Sequence, residues 1–337
     1  LYNRALAERR DAWKLEGRSV SYYDQCKALT VERKGHDYLR KCYSQSCQAT
    51  LRRLDKAFQN FFRRIKAGQK AGYPRFKAYG RFDSIEFPQF GKGYTLNIQD
   101  GQLLLLGVGK IKIKLHRAIE GSIKTAVIKR EADQWYAVFS CEVPEPTVAP
   151  STLPAVGIDL GLKSFFVTSE GETVEPPRHY RKAQKKLAKL QRRLSRKGKG
   201  SKNRSKARVK VARVHRKIAN QRRDFHHKTA LDLVRSHGAI AHEKLNIKGI
   251  VRTRLAKSTH DAGWSQFLGI LERKAVEAGA RLVPVDPRFT TQRCSRCGAM
   301  PEKRLTLADR VHRCEGCGQV LDRDWNAARN IFAAAFS

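Results

Sequence analysis

Ala155-Val156-Gly157-Ile158-Asp159-Leu160-Gly161 is an apolar run of strand length that carries one acid and is bracketed by glycines, and Phe165-Phe166-Val167-Thr168 follows it as a second strand. A carboxylate on such a strand is costly unless it is paired or bound to a metal. The glycines on either side leave room for a ligand to approach. Two further acids stand in comparable places. Glu243 ends the apolar run Ala239-Ile240-Ala241-His242-Glu243, and Asp324 precedes a helix expected over 325–336. Taken singly, Asp324 reads as a helix cap, Glu243 as an exposed strand end and Asp159 as a turn acid. Taken together, the three are the set that two-metal phosphodiester cleavage needs. Two Mg²⁺ or Mn²⁺ ions about 3.5–4 Å apart can activate water and stabilise the leaving oxygen, and such hard cations need few protein oxygens because they keep waters of their own.

Between the second and third acids lie two CxxC pairs, Cys294/Cys297 and Cys314/Cys317, each followed by a glycine, Gly298 or Gly318. Two such knuckles supply the four thiolates of a closed tetrahedral Zn²⁺ site, which is structural rather than catalytic. Two disulfides are the alternative. The chain has no signal peptide or membrane span, so a reducing, cytoplasmic setting is expected, and it favours metal thiolate. Cys26, Cys42, Cys47 and Cys141 have no ligand spacing and read as free thiols.

Charge points to the partner. The 337 residues hold 69 Lys and Arg against 31 Asp and Glu, a net charge of +38. That excess exceeds what solubility requires and implies a polyanion, with nucleic acid ahead of an anionic membrane. It is concentrated from Arg178 to Arg223, where 21 basic residues meet no acid. Leu187, Leu190 and Leu194, then Val211, Val214 and Ile218, keep helical spacing on either side of Gly198-Lys199-Gly200. This predicts a helical hairpin over 178–225 with an apolar seam and a cationic surface. Arg192, Arg193, Lys210, Arg213, Arg216 and Lys217 are the candidate phosphate contacts. Such contacts give affinity without sequence preference.

Toward the N-terminus the periodicity changes twice. The chain opens without Met, already in a helical pattern, so residues before Leu1 are expected to be missing. An amphipathic stripe runs through Leu51, Leu54, Phe58, Phe61 and Ile65 to about Ala67. From Arg75 to Val143 the period is two, with Tyr94–Ile98 and Ile111–Leu115 alternating, a tight turn at Asp100-Gly101 and a hairpin of 126–130 with 135–143. This reads as a small antiparallel barrel or sheet. Its basic face is either solvated or in contact with nucleic acid. Pro144-Glu145-Pro146 and Pro150 to Pro154 form a linker.

The segments Val156–Gly161, Glu243-Lys244-Leu245-Asn246 and Asp322-Arg323-Asp324-Trp325-Asn326-Ala327-Ala328-Arg329-Asn330 resemble motifs I, II and III of the RuvC-like nuclease domain. With the four-cysteine finger between motifs II and III, the chain is similar to TnpB, the RNA-guided nuclease of bacterial insertion sequences and a relative of type V CRISPR effectors. Gly72-Tyr73-Pro74-Arg75-Phe76-Lys77 and Asp261-Ala262-Gly263-Trp264 are further matches. The resemblance implies a multidomain α+β chain: a helical recognition lobe (1–70), an oligonucleotide-binding wedge β-barrel (71–150), and an RNase H-like α/β RuvC domain (151–292 and 321–337) with a zinc finger insert (293–320). It also implies Asp159, Glu243 and Asp324 as the catalytic, magnesium-binding acids, with Asp322 matching the first acid of motif III. The implied partners are a guide RNA derived from the transposon end and target double-stranded DNA, cut beside a short target-adjacent motif. The family's barrel strand ahead of the first helix is absent here.

Two other classes remain open. A nuclease-inactive RNA-guided DNA-binding repressor would be expected to lack one of the acids, and all three are present. An actin-like ATPase could use Gly157–Gly161 as a phosphate loop, but needs further nucleotide motifs that the chain lacks. His226 and His227 read as packing or phosphate contacts, Asp286 as a turn acid, and Asp261 as a cap ahead of Trp264 and Phe267.

Overall fold

The computed structural model describes residues 1–78, 80–144, 148–306 and 308–336. The chain divides into two compact units, Leu1–Glu145 and Pro146–Ser337. Most of the expected 144–146 linker lies outside the described residues.

In the first unit, helices α1 (Tyr2–Glu16), α2 (Tyr22–Gly35), α3 (Asp37–Lys41) and α4 (Ser44–Lys66) pack around Leu6, Leu29, Leu39, Leu51 and Leu54. Ser21 and Asp24 form a reciprocal capping box that starts α2. The stripe on α4 is buried at Leu51, Leu54 and Phe58 but not at Ile65, which is 51% exposed. Six strands follow: β1 (Ser84–Phe87), β2 (Tyr94–Asn97), β3 (Gln102–Leu105), β4 (Gly109–Lys112), β5 (Ser122–Glu131) and β6 (Gln134–Glu142). They form two antiparallel three-stranded sheets, ordered β1-β5-β6 and β2-β3-β4, rather than one closed barrel. Apolar side chains from both sheets, among them Phe87, Tyr94, Leu103 and Ala126, share one core. Strands β1 to β4 have only four residues each, so each offers few ladder bonds with which to close a barrel.

The second unit is built on a five-stranded sheet. Its elements run β7 (Ala155–Leu160), β8 (Phe166–Thr168), β9 (Thr173–Val174), α5 (His179–Ser195), α6 (Lys202–Ser236), β10 (Ala239–Glu243), α7 (Ile247–Ile250), α8 (Ala256–Ala262), α9 (Trp264–Glu277) and β11 (Arg281–Val285), then β12 (Val311–Arg313), β13 (Val320–Asp322) and α10 (Arg323–Phe336). The sheet order is β11-β10-β7-β8-β9. β7, β10 and β11 are parallel, whereas β8 runs antiparallel to both of its neighbours, β7 and β9.

Strand alternation divides the labour of β7. Val156, Ile158 and Leu160 enter the main core with Ala230, Leu233 and Val234 of α6 and Trp264, Phe267 and Leu271 of α9. Gly157 and Asp159 occupy the opposite face, against which α10 lies. A Cβ built on Gly157 would sit 2.5 Å from the Ala328 carbonyl oxygen and 2.6 Å from the Phe332 nitrogen, so only glycine admits the helix so closely. Ala241 of β10 and Val285 of β11 meet Ile331 of α10 on that same face.

The basic hairpin forms as the spacing predicts, though α6 runs on to Ser236 and delivers Thr229, Ala230, Leu233 and Val234 to the core. Ser201 caps α6 through the Arg204 amide, 3.1 Å away. The Arg204 guanidinium returns to the Leu194 and Lys197 carbonyls that end α5, at 3.0 and 2.8 Å. Leu187 and Ile218 are buried in the seam. Among the described residues no helix is long and apolar enough to cross a membrane.

His226 is buried, stacked on Phe165 and bonded through Nε2 to the Ala262 carbonyl at 2.8 Å, so it is a packing residue. Burial pushes its pKa down to about 4 and keeps the ring neutral. Asp261 corrects one expectation. It caps α5 rather than the helix that follows it, accepting from the Tyr180 and Arg181 amides at 2.8 and 3.1 Å.

Phe267 sits edge-on to Phe165, with centroids 4.9 Å apart, and is fully buried. Phe267→Ala is expected to destabilise the second unit by about 3–5 kcal/mol. A urea midpoint for that unit within error of wild type would refute this placement of the core.

Candidate metal centres

The carboxylates are brought to one place by three separate elements. The parallel register pairs Ile158 with His242, so Asp159 and Glu243 stand next along neighbouring strands and share the α10 face at their carboxyl ends. Asp324 lies in the first turn of α10. The exposures are 8% for Asp159, 7% for Glu243 and 7% for Asp324. The cap reading of Asp324 is overturned, because Asp322 takes that role: its Oδ1 accepts from the Asp324 and Trp325 amides at 2.9 and 3.4 Å. The Asp324 carboxylate is therefore free to face the sheet.

Two neighbours hold the acids and a third anchors the helix that carries Asp324. The Thr290 hydroxyl donates to Glu243 Oε1. Arg323 donates from Nε and Nη2 to Asp324 Oδ1, at 3.3 and 3.0 Å. Trp325 Nε1 donates to the Ser169 carbonyl at 3.0 Å, and its ring lies against Gly171, tying the start of α10 to the β8–β9 turn. Burial above all, then the charges of Glu243 and Asp324, push the Asp159 carboxyl well above the usual carboxylate range, against the opposing pull of Arg323. Burial likewise raises Glu243, and its Thr290 bond offsets part of that rise. Three buried carboxylates with one guanidinium among them form an undercompensated, all-oxygen donor set. That chemistry fits a hard divalent cation.

The four cysteines form a second centre. Their sulfurs all lie within 4.8 Å of one another, and among the described residues no other group of three or more potential ligands is so tightly gathered. The carboxylates are thus more loosely spaced than the thiols. Sγ atoms pair across the knuckles at 3.7 Å (Cys294 to Cys317) and 3.4 Å (Cys297 to Cys314). A tetrahedron with metal–sulfur bonds of 2.3 Å has edges of about 3.8 Å, whereas a disulfide would need about 2.05 Å. The arrangement fits a tetrahedral thiolate metal site and not a pair of disulfides. Cys26, Cys42, Cys47 and Cys141 are free thiols.

Sequence reasoning missed the ties between the two centres. Asn326 accepts from the Ser295 amide at 2.9 Å and donates to the Arg293 carbonyl at 2.8 Å. Asn330 donates to the Thr290 and Arg293 carbonyls, both at 2.7 Å. Arg323 Nη1 reaches the Thr306 carbonyl, between the knuckles, at 2.9 Å. The signal was present in Arg323-Asp324-Trp325-Asn326, but nothing in the spacing says that an amide side chain faces a knuckle rather than solvent.

Of the candidate phosphate contacts, Arg192, Arg193, Lys210, Arg213 and Lys217 are exposed on the hairpin and Arg216 is half-buried. Arg193 and Lys210 join Lys197 and Lys206 around a groove of about 290 Å³ with no acid in its lining. Asp286 accepts from the Arg288 amide at 3.0 Å, as a turn acid does.

Known proteins share this layout. A family model described as "Probable transposase", OrfB_IS605, matches residues 138–254, and a Cas12f1-like TNB domain matches residues 264–331. A "Putative RNA-guided DNA endonuclease" of Streptomyces pristinaespiralis is 39% identical, covering 100% of this chain and 83% of its own length. InsQ of Escherichia coli (strain K12), which carries the same description, is 30% identical over 99% of this chain and 85% of its own. A solved structure of a Cas12f1–sgRNA–target DNA complex aligns with a TM-score of 0.55 at 16% identity, covering 98% of this chain and 79% of that one. The class so defined is that of the OrfB_IS605 proteins. Within it the chain belongs to the TnpB family.

The raised carboxyls give a pH dependence. An acid whose folded pKa exceeds its unfolded value of about 3.9 is neutral in both states well below that value, and destabilises the fold increasingly as pH climbs toward the folded pKa. Asp159→Asn, without added divalent cation, is expected to raise the melting temperature at pH 8, by about 2–4 °C per kcal/mol relieved. The gain should vanish near pH 4. A variant that melts below wild type at pH 8 contradicts the assignment.

Proposed function

We propose that this protein is an insertion-sequence-encoded RNA-guided DNA endonuclease, with Asp159, Glu243 and Asp324 as the acids of a single cleavage site. The convergence of those three buried carboxylates at the strand ends, in a chain whose long relatives carry the name RNA-guided DNA endonuclease, is the observation that carries the reading. The strand order β11-β10-β7-β8-β9, with β8 reversed, supports an RNase H-like, RuvC-type sheet. The two small sheets of the first unit would serve as the oligonucleotide-binding wedge and helices α1 to α4 as the recognition lobe. The proposed divisions remain 1–70, 71–150, 151–292, 293–320 and 321–337.

Asp159, Glu243 and Asp324 would hold Mg²⁺ or Mn²⁺, which supplies Lewis acidity and an activated water when bound. The chain's own residues prepare that site. Thr290 fixes the Glu243 carboxylate through Oε1, and Arg323 fixes Asp324 through Oδ1, leaving the other oxygen of each available. Burial removes competing water and strengthens the attraction for a cation. The cysteine centre would hold structural Zn²⁺. On the α5–α6 hairpin, Arg192, Arg193, Lys210, Arg213, Arg216 and Lys217 would grip backbone phosphates, a task that needs charge and not sequence preference. Sequence choice would fall to pairing between a transposon-end-derived guide RNA and double-stranded DNA beside a short adjacent motif.

Asp159→Ala should lower Mg²⁺-dependent, guide-directed cleavage by at least about 100-fold, while guide RNA still binds. Equal cleavage by both proteins defeats the assignment, and sequence-specific cleavage by RNA-free protein defeats the RNA-guided reading. Replacing Arg193 and Lys210 together by Ala should weaken RNA-free DNA binding alike for all sequences and make its log–log salt slope shallower by about 2. A slope unchanged within error would remove the hairpin from the DNA path.

A further inference from the structure

Arg323 bonds both to Asp324 and to the segment between the two cysteine knuckles. It is buried, at 8% exposure, and its guanidinium is divided between two tasks. Nη1 donates to the Thr306 carbonyl of the segment between the knuckles, while Nε and Nη2 hold Asp324 Oδ1. Its backbone amide adds a bond to the Arg310 carbonyl at 2.9 Å, just ahead of β12. The Thr306 segment is itself organised by short-range bonds. Asp309 accepts from the Thr306 amide and hydroxyl at 2.7 and 2.8 Å. Gln292, beside the first knuckle, bonds Leu305 in both directions at 3.0 and 2.8 Å.

We propose that Arg323 couples the two metal centres, so that zinc on the four cysteines sets the affinity of the three carboxylates for their divalent cation. The inference rests on the reading of Asp159, Glu243 and Asp324 as cation ligands and adds the route by which the cysteine module acts on them. A four-thiolate module this small depends on its metal for its fold. Without zinc the Thr306 carbonyl leaves its place and Nη1 loses its partner. A buried guanidinium cannot remain half-satisfied beside undercompensated carboxylates, so it turns fully onto them and stands where the cation would bind. With zinc in place, Thr306 holds the charge at the edge of the site, on Oδ1 only. The linkage is reciprocal: a cation on the carboxylates must also favour zinc retention.

A four-protein cycle of wild type, Cys314→Ser, Arg323→Met and the double variant separates this route from general damage. Mn²⁺ binding is read by electron paramagnetic resonance of the free ion and zinc content by a chromophoric thiol-displacement assay, neither of which requires cleavage. Cys314→Ser should weaken Mn²⁺ binding by about tenfold or more in the Arg323 background, and by less than about twofold in the Arg323→Met background. Arg323→Lys leaves the cysteines untouched and guards against misfolding of the module. An ammonium lacks the planar fork that reaches Thr306 and Asp324 at once, so this variant should bind Mn²⁺ as weakly as Cys314→Ser while keeping its zinc. Equal zinc dependence in both backgrounds, or wild-type Mn²⁺ affinity in Arg323→Lys, overturns the coupling. Asp159→Ala is the control for the underlying assignment: if it binds Mn²⁺ like wild type, the cation site itself is misplaced, whatever the cycle gives.

Discussion

The approach of α10 to β7 at Gly157 is the contact on which the second unit depends. A side chain there would meet helix backbone, at the Ala328 oxygen and the Phe332 nitrogen, and backbone cannot swing aside as a flexible side chain can. The glycine therefore fixes how closely the C-terminal helix lies on the sheet. Because strand residues two apart share a face, the same contact decides that Asp159 looks toward α10 and not into the apolar core beneath Ile158. Glu243 follows from the parallel register of β10, and Asp324 from lying in the first turn of the seated helix. One missing Cβ thus brings together acids separated by up to 165 residues of sequence.

Holding those acids close has an electrostatic cost that the fold answers only in part. Arg323 offsets one charge, the Thr290 hydroxyl stabilises another, and Asp159 carries most of the remainder as a carboxyl reluctant to ionise. A structural network would be completed, as it is around Asp261, whose oxygens are both occupied by backbone amides of α5. That contrast within one chain separates a buried acid used for architecture from acids whose charge is left uncompensated, as the proposed cation site requires.

How much was legible in the sequence follows from how local each feature is. The CxxC pairs, the strand 155–160 and the seam at Leu187 and Ile218 are written in spacings of two to four residues, which alternation, helical pitch and ligand geometry translate directly. The capping role of Asp261 was not legible, because its partners Tyr180 and Arg181 lie about 80 residues away, whereas Trp264 and Phe267 lie close by. Asp322 and Asp324 compete for one cap two residues apart, and only the helix start at Arg323 decides between them. The alternation over 75–143 identified strands but could not say how they close. Closure depends on pairing between distant strands, and the four-residue strands formed two small sheets on one core.

On the proposed reading, a chain with a net charge of +38 that also holds small cations faces a conflict, since a surface that attracts nucleic acid repels divalent cations. Screening and burial would resolve it. At physiological ionic strength exposed charges are screened beyond about 8 Å, so on that reading the hairpin's exposed cations would act chiefly on phosphates lying directly against them. Buried acids are screened far less and act at short range. Arg323, bonded through Nη1 to the Thr306 carbonyl, lies on a single oxygen of Asp324. On that reading the positive surface and the acidic site would serve the same polyanion, one by collecting its phosphates without regard to sequence and the other by presenting buried carboxylates.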